Sequence, residues 1–123
     1  MENIPKISDS EWKVMKLLWD NNPCNANYVI ENLECEMNWK PKTIKTLLNR
    51  LVKKGVLGFE ISGRSYYYYP LIKKEDCIKK ESTSFLHKVF NGVAKDMVLN
   101  FIQDPDLTDE DIEDLKKVLE KRK

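Results

Sequence analysis

The chain has 123 residues, 41% hydrophobic, 33% charged and 10% aromatic, with a formal net charge of +1. That apolar content excludes a disordered segment and suits one compact unit with room for an appended element. No apolar run approaches the ~18 residues that a bilayer crossing needs, and the start, MENIPKISDSEWK, lacks the basic and apolar stretches of a signal peptide, so a cytoplasmic location without membrane insertion is expected.

The first helix is announced by Ser8-Asp-Ser-Glu11, a capping box ahead of an apolar run. Trp12, Met15, Leu18 and Trp19 recur at helical spacing, Val14 and Leu17 widen the stripe, and Asn21-Asn22-Pro23 stops it. A second helix is expected from near Asn25 to about Met37, with Ala26, Val29, Ile30 and Leu33 inward. The third begins with Pro41 in its first turn, where proline's missing N–H costs nothing. It continues through Ile44, Leu47, Leu48 and Leu51 to a basic last turn and Gly55.

After Gly55 the period changes from helical to alternating. Residues 56–61 and 65–69 read as two strands around Ser62-Gly63-Arg64, the second built from four consecutive tyrosines of high strand propensity. Alternation predicts two of those tyrosines inward. Three helices and a hairpin make residues 1–72 a winged helix-turn-helix. Residues 73–123 read as helical again. Lys74 to about Asn91 places Ile78, Phe85, Leu86, Val89 and Phe90 inward, and Val93 to about Ile102 adds Met97, Val98 and Phe101. A last helix capped by Thr108 carries Ile112, Leu115, Val118 and Leu119. The expected fold class is therefore mainly α (α+β): a winged helix-turn-helix with a small β-hairpin wing, plus a C-terminal three-helix dimerisation domain. Three short helices cannot bury so many large apolar side chains alone. A second copy can, through Phe85, Val89, Phe90, Met97, Phe101, Ile112, Leu115 and Leu119.

The charge of +1 conceals an uneven distribution. Residues 1–37 carry three basic and seven acidic groups, net −4, whereas residues 38–66 carry seven basic groups and only Glu60, net +6. Residues 67–103 carry six and four, net +2, and residues 104–123 five and eight, net −3. A basic segment with no acid from Asn38 to Phe59 is the footprint of a polyanion-binding face rather than ordinary solvation. On a helical wheel Lys42, Thr46, Asn49 and Lys53 lie opposite the apolar stripe, with Lys45 and Arg50 flanking it. A helix-turn-helix reads base edges with the N-terminal residues of its second helix. Lys42, Thr43 and Thr46 are the candidate base readers, a threonine offering a hydroxyl or a methyl for thymine. Lys45, Asn49, Arg50, Lys53, Lys54 and, at the hairpin tip, Arg64 are candidates for the DNA backbone.

The stretch Trp39-Lys-Pro-Lys-Thr-Ile-Lys-Thr-Leu-Leu-Asn-Arg-Leu-Val-Lys-Lys-Gly55, with Trp12, Leu18-Trp19, Tyr68-Tyr69 and Val98-Leu-Asn-Phe101 around it, resembles the penicillinase and methicillin-resistance repressors, the BlaI/MecI type. The resemblance covers essentially the whole chain. It implies a homodimeric repressor of antibiotic-resistance genes such as β-lactamase, bound to a dyad-symmetric double-stranded operator with TACA/TGTA-like half-sites. It also implies inactivation by cleavage at an Asn–Phe bond, set off by a membrane sensor metalloprotease, and Asn100-Phe101 stands at the matching place. Cutting there would remove the last helix and with it the affinity gained from two linked half-sites. Lys40 departs from the serine of the methicillin-type relatives and offers no capping oxygen. The tail lacks the cysteine pairs of copper-responsive relatives, so that kind of metal sensing is not expected.

Two other function classes compete. A protein-interaction module would use the basic face on an acidic partner, and a repressor answering another signal would need no cleavage. An enzyme is not expected. The single histidine, His87, has no neighbouring nucleophile pattern, and the acidic stretch 104–114 lacks the spacing and glycine of a calcium loop. Cys24, Cys35 and Cys77 have no CxxC spacing and read as reduced structural thiols, so no metal or cofactor is expected.

Overall fold

The computed structural model describes residues 3–122; Met1, Glu2 and Lys123, read above as parts of the chain ends, lie outside the described residues. The elements run α1 (Asp9–Asp20), α2 (Ala26–Met37), α3 (Pro41–Lys53), β1 (Leu57–Ser62), β2 (Ser65–Pro70), α4 (Lys74–Phe90), α5 (Ala94–Ile102) and α6 (Asp109–Lys121). The chain divides into two compact units, Met1–Ile78 and Lys79–Lys123.

The first unit is the winged helix-turn-helix that the periodicities predict. The Ser8 hydroxyl accepts from Glu11 N–H and the Glu11 carboxylate from Ser8 N–H, closing the capping box that starts α1. The Asn25 side chain caps α2 by accepting from Tyr28 N–H at 2.9 Å. Asn38 then turns the chain in the left-handed region, φ 55, and Gly55 does the same after α3, φ 80. One core joins Val14, Met15 and Leu18 of α1, Val29, Ile30 and Leu33 of α2, and Ile44, Leu47, Leu48 and Leu51 of α3.

The hairpin pairs antiparallel from Leu57↔Pro70 to Ser62↔Ser65, leaving Gly63-Arg64 as a two-residue loop. Gly63 takes φ 64 and Arg64 does not take positive φ, the arrangement of a type II′ turn. A third strand-like piece joins the sheet. Cys24 N–H donates to Tyr68 O at 3.1 Å, and Tyr68 N–H donates to Cys24 O at 2.8 Å. Among the four tyrosines only Tyr68 is buried. Tyr66 lies on the same face by alternation but nearer the tip, where it stays exposed and stacks on Phe59 with centroids 4.8 Å apart. On the opposite face the Tyr69 ring lies against Gly58, where an added Cβ would meet it at 2.9 Å.

The first turn of α4 belongs to this unit. Cys77 is buried in the core while Ile78, expected inward, is 45% exposed. The indole N–H of Trp19 donates to Ile72 O at 3.0 Å and fixes the segment leading into that turn. Burial pushes the Cys24 and Cys77 thiols up, which keeps them protonated and unreactive.

The second unit is helical throughout, and none of its described residues is buried. The α4 end is closed by Asn91 and Gly92 in the left-handed region, with Gly92 N–H donating to Leu86 O at 3.1 Å. Thr108 and Asp111 form a second capping box at the start of α6. Phe85 contacts Phe90 and Phe101 at centroid distances of 5.9 and 6.4 Å. In the same unit Val89, Val98, Phe101, Val118 and Leu119 are about half exposed or more.

Candidate nucleic-acid interface

The 13-residue α3 separates two chemistries along its length. Ile44, Leu47, Leu48 and Leu51 are buried, while Lys42, Thr43, Lys45, Thr46, Asn49, Arg50 and Lys53 are exposed on the other side. Lys40 stands at the N-cap without a side-chain hydrogen bond. The helix nevertheless begins at Pro41, because proline presets the first helical φ and Thr43 N–H closes onto Lys40 O at 2.9 Å. With no acid in the first turn, the positive end of the helix dipole adds to the charge of Lys42. That end attracts phosphate and leaves Lys42, Thr43 and Thr46 clear of protein cover. The Thr46 hydroxyl donates to Lys42 O at 3.0 Å. What remains to it outward is a lone pair and a methyl group, suited to accepting from a base amino group or packing on a thymine methyl.

Beside α3 a cleft of about 350 Å³ opens between the start of α2 and the wing. Asn25, Ala26 and Asn27 line one side, Lys45 and Asn49 the floor, and Arg64, Ser65, Tyr66 and Tyr68 the other side. No acidic residue lines it. Two cations, the amides of a helix start and several neutral donors around one concavity are the chemistry that suits a phosphate and its sugar. The structure thus brings Lys45, Asn49 and Arg64 together, although Arg64 comes from another element. Sequence reasoning missed Asn25, Asn27, Ser65 and Tyr66. The helix-start signal at Asn25 was visible, but its nearness to the wing depends on the Cys24–Tyr68 pairing.

Lys54 is not among the residues that line the cleft. Its Nζ lies 2.5 Å from Glu11 Oε1 and donates to Lys6 O at 2.9 Å, although it was expected among the residues facing the DNA backbone. Burial raises the Glu11 carboxyl, but the Lys54 ammonium and the Ser8 N–H outweigh it and hold it below the usual carboxylate range. In the second unit Asn100 and Phe101 occupy the last turn of α5, Asn100 exposed and Phe101 50% exposed. Among the described residues no helix is long and apolar enough to cross a membrane, and no three His, Cys, Asp or Glu side chains gather as a metal set.

The penicillinase repressor family model matches residues 7–121. The penicillinase repressor of Bacillus licheniformis is 44% identical over 123 residues, covering 100% of this chain and 96% of that protein. Methicillin resistance regulatory protein MecI of Staphylococcus aureus strain N315 is 38% identical over 117 residues, covering 95% of each. Among solved structures, monomeric B. licheniformis BlaI in complex with the blaP half-operator matches with a TM-score of 0.55 at 46% identity, over 62% of this chain and 93% of that one. A fold of this kind and a family match across nearly the whole length lead to one conclusion: the chain belongs to the penicillinase repressor family.

Proposed function

We propose that this chain is a transcriptional repressor that binds a dyad-symmetric operator as a homodimer, with α3 in the major groove. The observation that carries the reading is the exposed, acid-free face of α3 beside the cationic cleft. The half-operator complex of the related BlaI supports it. Lys42, Thr43 and Thr46 read base edges. Lys45, Asn49, Arg50, Lys53 and Arg64 hold the backbone, the cleft seating one phosphate. The half-exposed apolar residues of the second unit, Phe85, Val89 and Phe101 with Leu115 and Leu119 of α6, meet their counterparts in a second copy. Phe90, Met97 and Ile112, each partly covered, complete that surface.

Release follows from the same arrangement. A sensor metalloprotease in the membrane, or a step it triggers, leads to cleavage of Asn100-Phe101. The bond lies in the last turn of a nine-residue helix, where fraying exposes backbone to a protease. Cleavage there separates α6 from Phe85 and its neighbours, and the dimer loses the advantage of two linked half-sites.

A gel shift with a TACA/TGTA palindrome and a scrambled duplex tests the DNA reading. The palindrome is expected to bind more tightly, with log affinity falling linearly against log salt. Thr43→Ala with Thr46→Ala should narrow the gap between the two duplexes. Equal binding of both duplexes by the unaltered protein would remove the proposal.

A further inference from the structure

We propose that Glu11 and Lys54 form an internal latch that sets the aim of α3, making both positioning residues for operator reading. The inference rests on the repressor reading above and deepens it. Lys54 lies in the most basic segment of the chain and is the C-cap residue of α3. Its ammonium nevertheless spends two of its three N–H donors on protein oxygens, Glu11 Oε1 of α1 and the carbonyl of Lys6. Three pieces of chain thus meet at one nitrogen.

Glu11 is 1% exposed, and it is the one charged residue buried among those described. Oε1 takes both the Ser8 N–H, at 2.8 Å, and the Lys54 ammonium, while Oε2 has no hydrogen-bond partner among the described residues. A capping box works equally well with a surface glutamate, so capping alone does not account for a buried charge. A directional tie accounts for it. The apolar seam of Ile44, Leu47, Leu48 and Leu51 holds α3 to the core by non-directional contacts. An ion pair with defined geometry fixes the tilt at one end. The reading residues Lys42 to Thr46 lie some 8–12 positions away, on the order of 15 Å along the helix. A tilt of about 5° at the latch therefore moves them by roughly 1 Å, enough to spoil a hydrogen bond to a base edge.

The test measures full-length protein on the TACA/TGTA palindrome and its scrambled counterpart across a salt series, well below each variant's melting temperature. Lys54→Met, Glu11→Gln and the double variant are compared with Lys45→Met. Lys54→Met and the double variant are expected to cut the palindrome-to-scrambled affinity ratio about tenfold, the size of one mismatched base pair. Their salt slopes should stay at the wild-type value, whereas Lys45→Met should lose about 0.9 from its slope for the phosphate contact removed. A slope loss of that size in Lys54→Met would make Lys54 a phosphate contact and overturn the proposal. A lower melting temperature with ratio and slope both unchanged would overturn it too, by making the pair structural only. If Lys54→Met alone fails to fold, the double variant, which leaves no buried unpaired charge, and Glu11→Gln carry the same readings. A wild-type protein without preference for the palindrome would sink the repressor reading itself, and the latch's role with it.

Discussion

Glu11 is where one residue does two jobs, closing the α1 cap and meeting Lys54. Its carboxyl titrates below the ordinary range in the folded protein. The stability it contributes is therefore present above the unfolded value and is lost as pH falls through the folded one. Glu11→Gln should lower the melting temperature at pH 7, and the gap to wild type should shrink steadily toward pH 3. A gap that is constant across that range would show that the charge contributes nothing. The sequence displayed half of this residue's role. Ser8 and Glu11 stand three positions apart and spell a cap, but Lys54 lies 43 positions away, and no local pattern announces such a partner. Without that partner Lys54 reads as one more cation in a basic run. Thr46 teaches the same at shorter range, since its helical position is legible but the hydroxyl's bond to Lys42 O is not.

At the scale of elements, periodicity located every helix, because each of the first three carries an apolar stripe at helical spacing and a stop. It was less reliable for α4, where Cys77 takes the buried position and Ile78 stays exposed. The larger residue looks like the better core member on hydrophobicity alone, yet it is the thiol that the core takes in. The wing shows a related limit: alternation puts Tyr66 and Tyr68 on one face, and only Tyr68 is buried. Among the first three helices the start of α3 is the one without a side-chain cap, since Ser8 and Asn25 cap their helices and Lys40 does not. Lys40→Ser should stabilise the protein by about 0.5–1 kcal/mol, read from urea unfolding. An unchanged midpoint would mean that Pro41 and the core already hold that turn.

For the whole molecule, the two units differ in what they bury. The first has a continuous core, and the second keeps no described residue fully from water. Phe85→Glu would set a charge in the middle of the Phe90–Phe101 cluster. Sedimentation should then report a monomer, and affinity for the full palindrome should fall to that for a half-site. A variant that sediments as a dimer would move the association surface elsewhere. In the first unit, the pairing of Cys24 with Tyr68 carries a different consequence. The β1–β2 hairpin closes through two residues and is cheap in chain entropy, whereas Cys24 and Tyr68 join across α2, α3 and β1. The hairpin is a local pairing, and the Cys24 bridge is the one that closes a long loop. The cleft between Asn25 and Arg64 straddles that bridge, so its two sides are held together by a long-range pairing. A partly opened chain can display the wing and the basic helix and still lack the cleft, so on the proposed function grip on DNA depends on that distant pairing as well as on the helix.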